Sequence, residues 1–242
     1  MDENINNNHG FYKDLDTNFE LAYKLSDKNF THVELLQLLK SGNIPEKQIA
    51  ALKFDYVKDS SDVNALLNNL IGCDGKIREA IALKINELLS NDALSHKLFS
   101  QNSAEIFAKA TIDINANICR LVIDSAILLK DDEAFAKKYT DIIIKFAFEA
   151  IDALDKFIFK DKKYTINKQL FKLYWCLEAL SSFYVYVNDD VLEKILSKSC
   201  YQNEYTIREK AAQILNKTDK FENLKQKLIN DENYYVRKML HH

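Results

Sequence analysis

"YTIREKAAQILN" (Tyr205–Asn216) opens on the same three residues as "YTINKQLFKLYW" (Tyr164–Trp175), which begins 41 residues earlier. Both segments read as helices, and each follows an apolar run and a short polar turn. "VLEKILSKSCYQNEYTIREKAAQILNK" (Val191–Lys217) is therefore a helix, a turn and a second helix. "VNALLNNLIGCDGKIREAIALKINELL" (Val63–Leu89) has the same form, with its turn at Gly72–Gly75, and so does "FENLKQKLINDENYYVRKML" (Phe221–Leu240), whose second helix is short. "DINANICRLVIDSAILL" supplies a further second helix. Each second helix opens on a β-branched residue: Ile77, Ile118, Ile166, Ile207 and Val236. They recur at intervals of 41, 48, 41 and 29 residues. Periods of roughly 30–47 residues are those of stacked two-helix repeats, which need one another to bury their apolar faces.

Composition agrees. The 242 residues include only 4 Gly and 1 Pro, too little turn punctuation for a sandwich, a barrel or a Gly-rich phosphate-binding fold. Apolar residues make up 47% and charged ones 29%, as expected of a folded chain. The class expected is all-α, with a flexible tail over 1–15 and a single domain over 16–242. Helix starts are marked by capping boxes at Thr17-Asn-Phe-Glu20 and Thr31-His-Val-Glu34. Ser41-Gly42 predicts a left-handed helix exit, and Pro45 suits the first turn of the next helix.

Net charge is −3, which gives no general attraction to a polyanion, so nucleic acid is not an expected partner. Acidic residues prevail over 1–160 and basic ones over 161–242. Cys73, Cys119, Cys176 and Cys200 form no CxxC and lie near no His at ligand spacing, so they read as reduced packing residues. The N-terminus has no apolar signal core. The most apolar stretch, Asp141–Phe159, carries Lys145, Glu149, Asp152, Asp155 and Lys156, too many charges for a membrane span. A cytoplasmic location is expected. His9, His32, His96, His241 and His242 are scattered and predict no metal site. No nucleophile, phosphate-loop or zinc-protease motif is present, so no catalytic residue and no cofactor is assigned.

The repeats resemble the HEAT family and its armadillo-like relatives. The residues that carry the resemblance are Leu66-Leu67, Leu70, Asp74, Ile77-Arg78 and Ala80–Leu83; then Ile195-Leu196, Glu204, Ile207-Arg208 and Ala211-Ala212; then Leu224, Leu228, Asp231 and Val236-Arg237. The resemblance implies a right-handed α-solenoid of about five to six helix pairs, with a ladder of turn Asp and helix Arg between repeats. Asp74, Arg78, Arg208, Asp231 and Arg237 would belong to it. No turn has the family's Pro, and Cys119 and Asn167 stand where Arg is expected.

Twelve of the 27 aromatic residues fall between Tyr139 and Tyr186. They read either as the core of oversized helices or as an aromatic groove, with Tyr174, Trp175, Tyr184 and Tyr186 as its contacts. The function expected is a non-catalytic scaffold that binds a partner protein or peptide through its inner face. Two alternatives come from HEAT-like enzymes, a DNA glycosylase-like activity on nucleic acid and a chromophore-lyase subunit.

Overall fold

The computed structural model describes residues 18–72, 74–156 and 163–240, and the side chains of all of these except 163–166. The N-terminal tail, Thr17 with its capping box, Cys73, His9 and His241–His242 lie outside the described residues. All regular structure among the described residues is helical. The contacts cluster in two compact units, one ending at Asn102 and the other beginning at Ser103.

The first unit holds α1 (18–26), α2 (His32–Ser41), α3 (Ile44–Leu52), α4 (Ser60–Leu70), α5 (Gly75–Asn91) and α6 (Ala93–Asn102). Here α2 pairs with α3 and α4 with α5, while α2 packs on α4 and α3 on α5, so that two layers form; α6 then lies against α4 and α5. The apolar stripes that the sequence places at helical spacing face inward: Leu35, Leu39, Phe54, Leu66, Leu70, Ile81, Ile85 and Leu89 are buried. Thr31 and Glu34 form the expected capping box, and Asn43 and Glu46 form another. Pro45 lies in the first turn of α3.

The exit from α2 differs from expectation. Gly42 has φ −69° and ψ 159°, which is extended, not left-handed. Glycine is needed there for space: a Cβ would lie 2.6 Å from the Leu38 carbonyl oxygen and 2.9 Å from the Glu46 Cβ. The left-handed glycine is Gly72, at φ +76° in the α4–α5 turn. His32 finds a carboxylate that no local spacing announces. Its Nε2 lies 2.9 Å from Asp62 Oδ2 of α4, and its ring stacks on Tyr56 at 4.8 Å.

The second unit holds α7 (Ala104–Thr111), α8 (Ala116–Leu128), α9 (Glu133–Lys156), α10 (Lys163–Phe183), a 3-10 turn (Tyr184–Tyr186), α11 (Asp189–Cys200), α12 (Tyr205–Leu215), α13 (Glu222–Ile229) and α14 (Tyr234–Lys238). First helices α7, α9, α11 and α13 pack in sequence, second helices α8, α10, α12 and α14 do the same, and each first helix packs on its own second helix. This is an all-α solenoid arrangement. The marker residues Ile118, Ile207 and Val236 are fully buried at the start of their helices. The side chain of Ile166 is outside the description. An aromatic line, Phe107–Phe135–Tyr139–Phe183, runs through the core at centroid spacings of 5.0–6.1 Å. The Tyr139 hydroxyl is paired with Thr111 Oγ1 at 2.8 Å, which satisfies a polar group inside that core.

The arginines that open second helices are held at two levels. Arg208 donates from Nη1 to the carbonyls of Gln202 (2.8 Å) and Asn203 (2.9 Å), six and five residues back. Arg237 repeats this on Asp231 (2.5 Å) and Glu232 (2.9 Å). At the same position of α8, the Cys119 thiol donates to the Asp113 carbonyl, again six residues back, at 3.0 Å. Arg208 also reaches into the next repeat and grips the Asp231 carboxylate with Nε (2.7 Å) and Nη2 (3.0 Å). Asp74 does a different job. It stands four residues before Arg78, not six, and its side chain accepts from the Lys76 N–H at 2.8 Å to cap α5.

Burial works against ionisation of Asp231, but the hydrogen bonds from Arg208 and from the Asn233 backbone N–H outweigh it and hold the carboxyl below its ordinary value. The stability that follows is fully present above an unfolded Asp's value near 3.8 and is lost as pH falls through the lower folded value. Asp231→Asn, which leaves the Arg208 charge buried and half-paired, is expected to cost about 3–5 kcal/mol at neutral pH. Thermal melts of both proteins from pH 7 to pH 2 should stay apart down to about pH 4 and draw together below it. A pH-independent gap would show that the ion pair is not the cause.

Cys119, Cys176 and Cys200 are buried thiols, and burial pushes each up to about 12. Thiolate is the reactive form. In Ellman's assay at pH 8 these three should react only as fast as the fold opens, and at once in denaturant.

Candidate functional site

The second-helix layer of the second unit has unequal members. α10 has 21 residues, whereas α8 has 13 and α12 has 11. At 1.5 Å per residue, α10 is longer than either neighbour by roughly 12–15 Å. The short helices cannot cover all of its packing face, and the side chains of its middle turns line two adjoining hollows. One, of about 430 Å³, is bounded by Asn167, Leu170, Phe171, Tyr174 and Trp175 of α10 with Glu204 and Thr206 at the start of α12. The other, of about 250 Å³, lies toward α8 and is bounded by Arg120, Ile123 and Asp124 with Tyr174, Trp175 and Glu178. Tyr174 and Trp175 form the wall that both share.

Trp175 is 6% exposed. Phe171 and Tyr174 meet it nearly edge-on, at 6.0 Å and 5.2 Å. Its Nε1 is buried without a hydrogen-bond partner. Such a donor normally finds an acceptor, and leaving it unpaired costs about 1–3 kcal/mol.

The charges around this wall are partly matched. Lys210 of α12 contacts Glu178 and places its ammonium 5.1 Å from the Tyr174 ring centroid. Burial works against the charge on Lys210, but Glu178 and Tyr174 more than restore it, so its affinity for the proton rises above the ordinary lysine value. Asp124 is shifted upward by partial burial; Arg120 offsets that in part and Glu178 adds to it. Asp124 has no ion-pair partner among the described residues.

Of the four aromatic residues expected to line a groove, Tyr174 and Trp175 do meet at this wall. Tyr184 and Tyr186 belong to the 3-10 turn beyond the far end of α10. The Tyr184 hydroxyl donates to the Lys217 carbonyl and that of Tyr186 to the Lys130 carbonyl, each at 2.9 Å. They brace the ends of α12 and α8. The other aromatics of this region divide similarly. Tyr139 and Phe183 are core, Phe146 and Phe148 are half-buried, and Phe157, Phe159 and the Tyr164 side chain lie outside the described residues. Sequence reasoning missed Asp124, Glu178 and Lys210. Charged residues on three helices carry no common local signal, and only stacking brings them together. Among the described residues no cluster of His, Cys, Asp or Glu is arranged to hold a metal.

Trp175→Phe keeps the ring contacts and removes the unpaired donor. It is expected to cost under about 1.5 kcal/mol, against about 3–5 kcal/mol for Phe107→Ala in the filled core. Urea unfolding followed by far-ultraviolet circular dichroism checks the pair. Equal losses would mean that the indole N–H is satisfied in solution.

No family model matches the chain, and no curated protein matches it. Solved structures similar to it include two engineered proteins. One has 14% identity over 88% of this chain and 96% of its own length, with a TM-score of 0.49. The other has 14% identity over 86% and 93%, with a TM-score of 0.47. An archaeal HEAT-like repeats protein from Thermococcus onnurineus NA1 is similar at 11% identity over 88% of this chain and 79% of that one, with a TM-score of 0.48.

Proposed function

We propose that this protein is a non-catalytic interaction module that binds a partner protein or peptide across the second-helix face of its second unit, at the wall formed by Tyr174 and Trp175. The observation that carries this reading is that Tyr174 and Trp175 of α10 line two adjoining hollows, one with α12 and one with α8, and that the buried Trp175 Nε1 has no hydrogen-bond partner. Binding surfaces concentrate their energy in such places, where an aromatic residue sits among polar groups with complementary roles. Stacked helical repeats present faces of this kind because each repeat adds side chains to a continuous layer. We read its working compartment as the cytoplasm, where cysteines kept as buried single thiols are at home. The ladder set of Asp74, Arg78, Arg208, Asp231 and Arg237 is read as structural, with Arg208–Asp231 as its inter-repeat rung.

A photo-crosslinking amino acid placed at Tyr174, and in a separate variant at the exposed Lys194 of first helix α11, tests this in the native cell. Discrete protein adducts are expected from position 174 and none from 194. Adducts from 194 alone would move the interaction to the first-helix layer and refute the assignment.

A further inference from the structure

The first unit has a hollow of its own, of about 570 Å³, where α2, α3 and α4 meet. Its polar lining is Lys40 of α2, Lys47 of α3, and Ser61, Asn64, Asn68 and Asn69 of α4. Among the described residues no carboxylate lines it, so the wall carries two positive charges. The acidic groups nearby in the chain are committed elsewhere. Glu46 Oε2 accepts the Asn43 N–H at 2.8 Å in capping α3. Asp59 accepts the N–H groups of Ser61 and Asp62 in capping α4. Asp62 Oδ2 is held by His32 and by the Lys58 N–H. Lys40 and Lys47 form no ion pair among the described residues.

A buried amide fixes the inner cation. Asn69 is 4% exposed. Its Nδ2 donates to the Leu39 carbonyl at 3.0 Å and to the Ala65 carbonyl at 2.8 Å, which uses both amide hydrogens. Its Oδ1 accepts from Lys47 Nζ at 2.9 Å. Lys47 is half-buried, a setting in which a lysine is normally matched by a carboxylate. Here a neutral amide positions the ammonium without cancelling its charge, and two of its three N–H groups have no acceptor among the described residues. The side chains of Ser61, Asn64 and Asn68 also make no hydrogen bond among the described residues. Each of them can both donate and accept.

We propose that this hollow binds a phosphate monoester. Such a group carries about −1.5 to −2 charges at pH 7, which matches the two lysines, and its oxygens accept from Lys47, Lys40 and the Asn68 amide. Ser61 and Asn69 lie roughly 12 Å apart along α4. Asp59 places a negative charge at the Ser61 end, so the phosphate belongs at the Asn69 end beside Lys47. The body of the ester then extends past Asn64 toward Ser61, where hydroxyl or amide groups on it meet side chains that donate and accept. A bare phosphate ion would leave most of the hollow unfilled.

The test follows the asparagine side-chain amides of the 15N-labelled full chain by two-dimensional NMR, in about 150 mM salt to screen loose attraction. Glycerol 3-phosphate and a capped Gly-Ser-phosphoserine-Ser-Gly peptide are titrated, each beside its unphosphorylated counterpart. Saturable shifts of the Asn64 and Asn68 amides are expected with at least one ester and with neither counterpart. The tighter ester assigns the source, a small polar molecule or a modified polypeptide. Asn68→Asp and Lys40→Gln, both at exposed positions, should each weaken binding by about tenfold, read at Asn64. Lys97→Gln, exposed on α6 outside the hollow, removes the same charge as Lys40→Gln and should leave binding unchanged. An equal loss in Lys97→Gln would mean general attraction to a basic surface and would overturn the site. So would undiminished binding in the two hollow variants, or no saturable shift with either ester at about 10 mM.

Discussion

The constraint on which everything else rests is the shortness of the helices. Several have 8–13 residues, and α14 has five. Helices of that length are marginal in water on their own. They persist because Ile118, Leu177, Ile207 and Val236, on successive second helices of the second unit, are removed from water by their neighbours. Each such side chain contributes about 1.5–3 kcal/mol by burial. The stabilisation is nearest-neighbour, so an irregularity in one repeat is absorbed next door and does not spread.

Polar groups wire the same stack at its turns. In α12 and α14 an arginine at the second turn reaches back to two carbonyls, and in α8 a cysteine thiol makes a weaker version of one of those bonds. The side-chain type varies while the anchored carbonyl six residues back does not. What the position requires is a donor that ties down the preceding turn; the reach into the next repeat is an addition, seen at Arg208–Asp231. Tyr184 and Tyr186 act in the same way from the end of α10. These bonds matter for orientation more than for net energy, since each replaces a bond to water.

The candidate site is a consequence of one departure from regularity. α9 and α10 are about twice as long as the pairs around them, so α10 presents a face that α8 and α12 cannot fully cover. A bulky residue in the covered part becomes core, as Phe183 does, and a bulky residue in the uncovered part becomes a wall, as Tyr174 does. The indole N–H of Trp175, on the same helix, is buried without an acceptor.

The sequence by itself determined the helical class, the pairing of helices and the start of each second helix. These follow from apolar spacing, turn residues and caps, all of which act within a few positions of the chain. It also marked Tyr174, Trp175, Tyr184 and Tyr186 alike as candidate groove residues, because aromatic density is visible along the chain. Tertiary structure decided which aromatics are braces, which are core and which form a wall, since that depends on the relative lengths of neighbouring helices. It also decided that His32 meets Asp62, that Arg208 crosses to Asp231, and that Asp124, Glu178 and Lys210 converge. Each of these pairings joins residues brought together by stacking, and no local pattern encodes a contact across 23 or 30 positions.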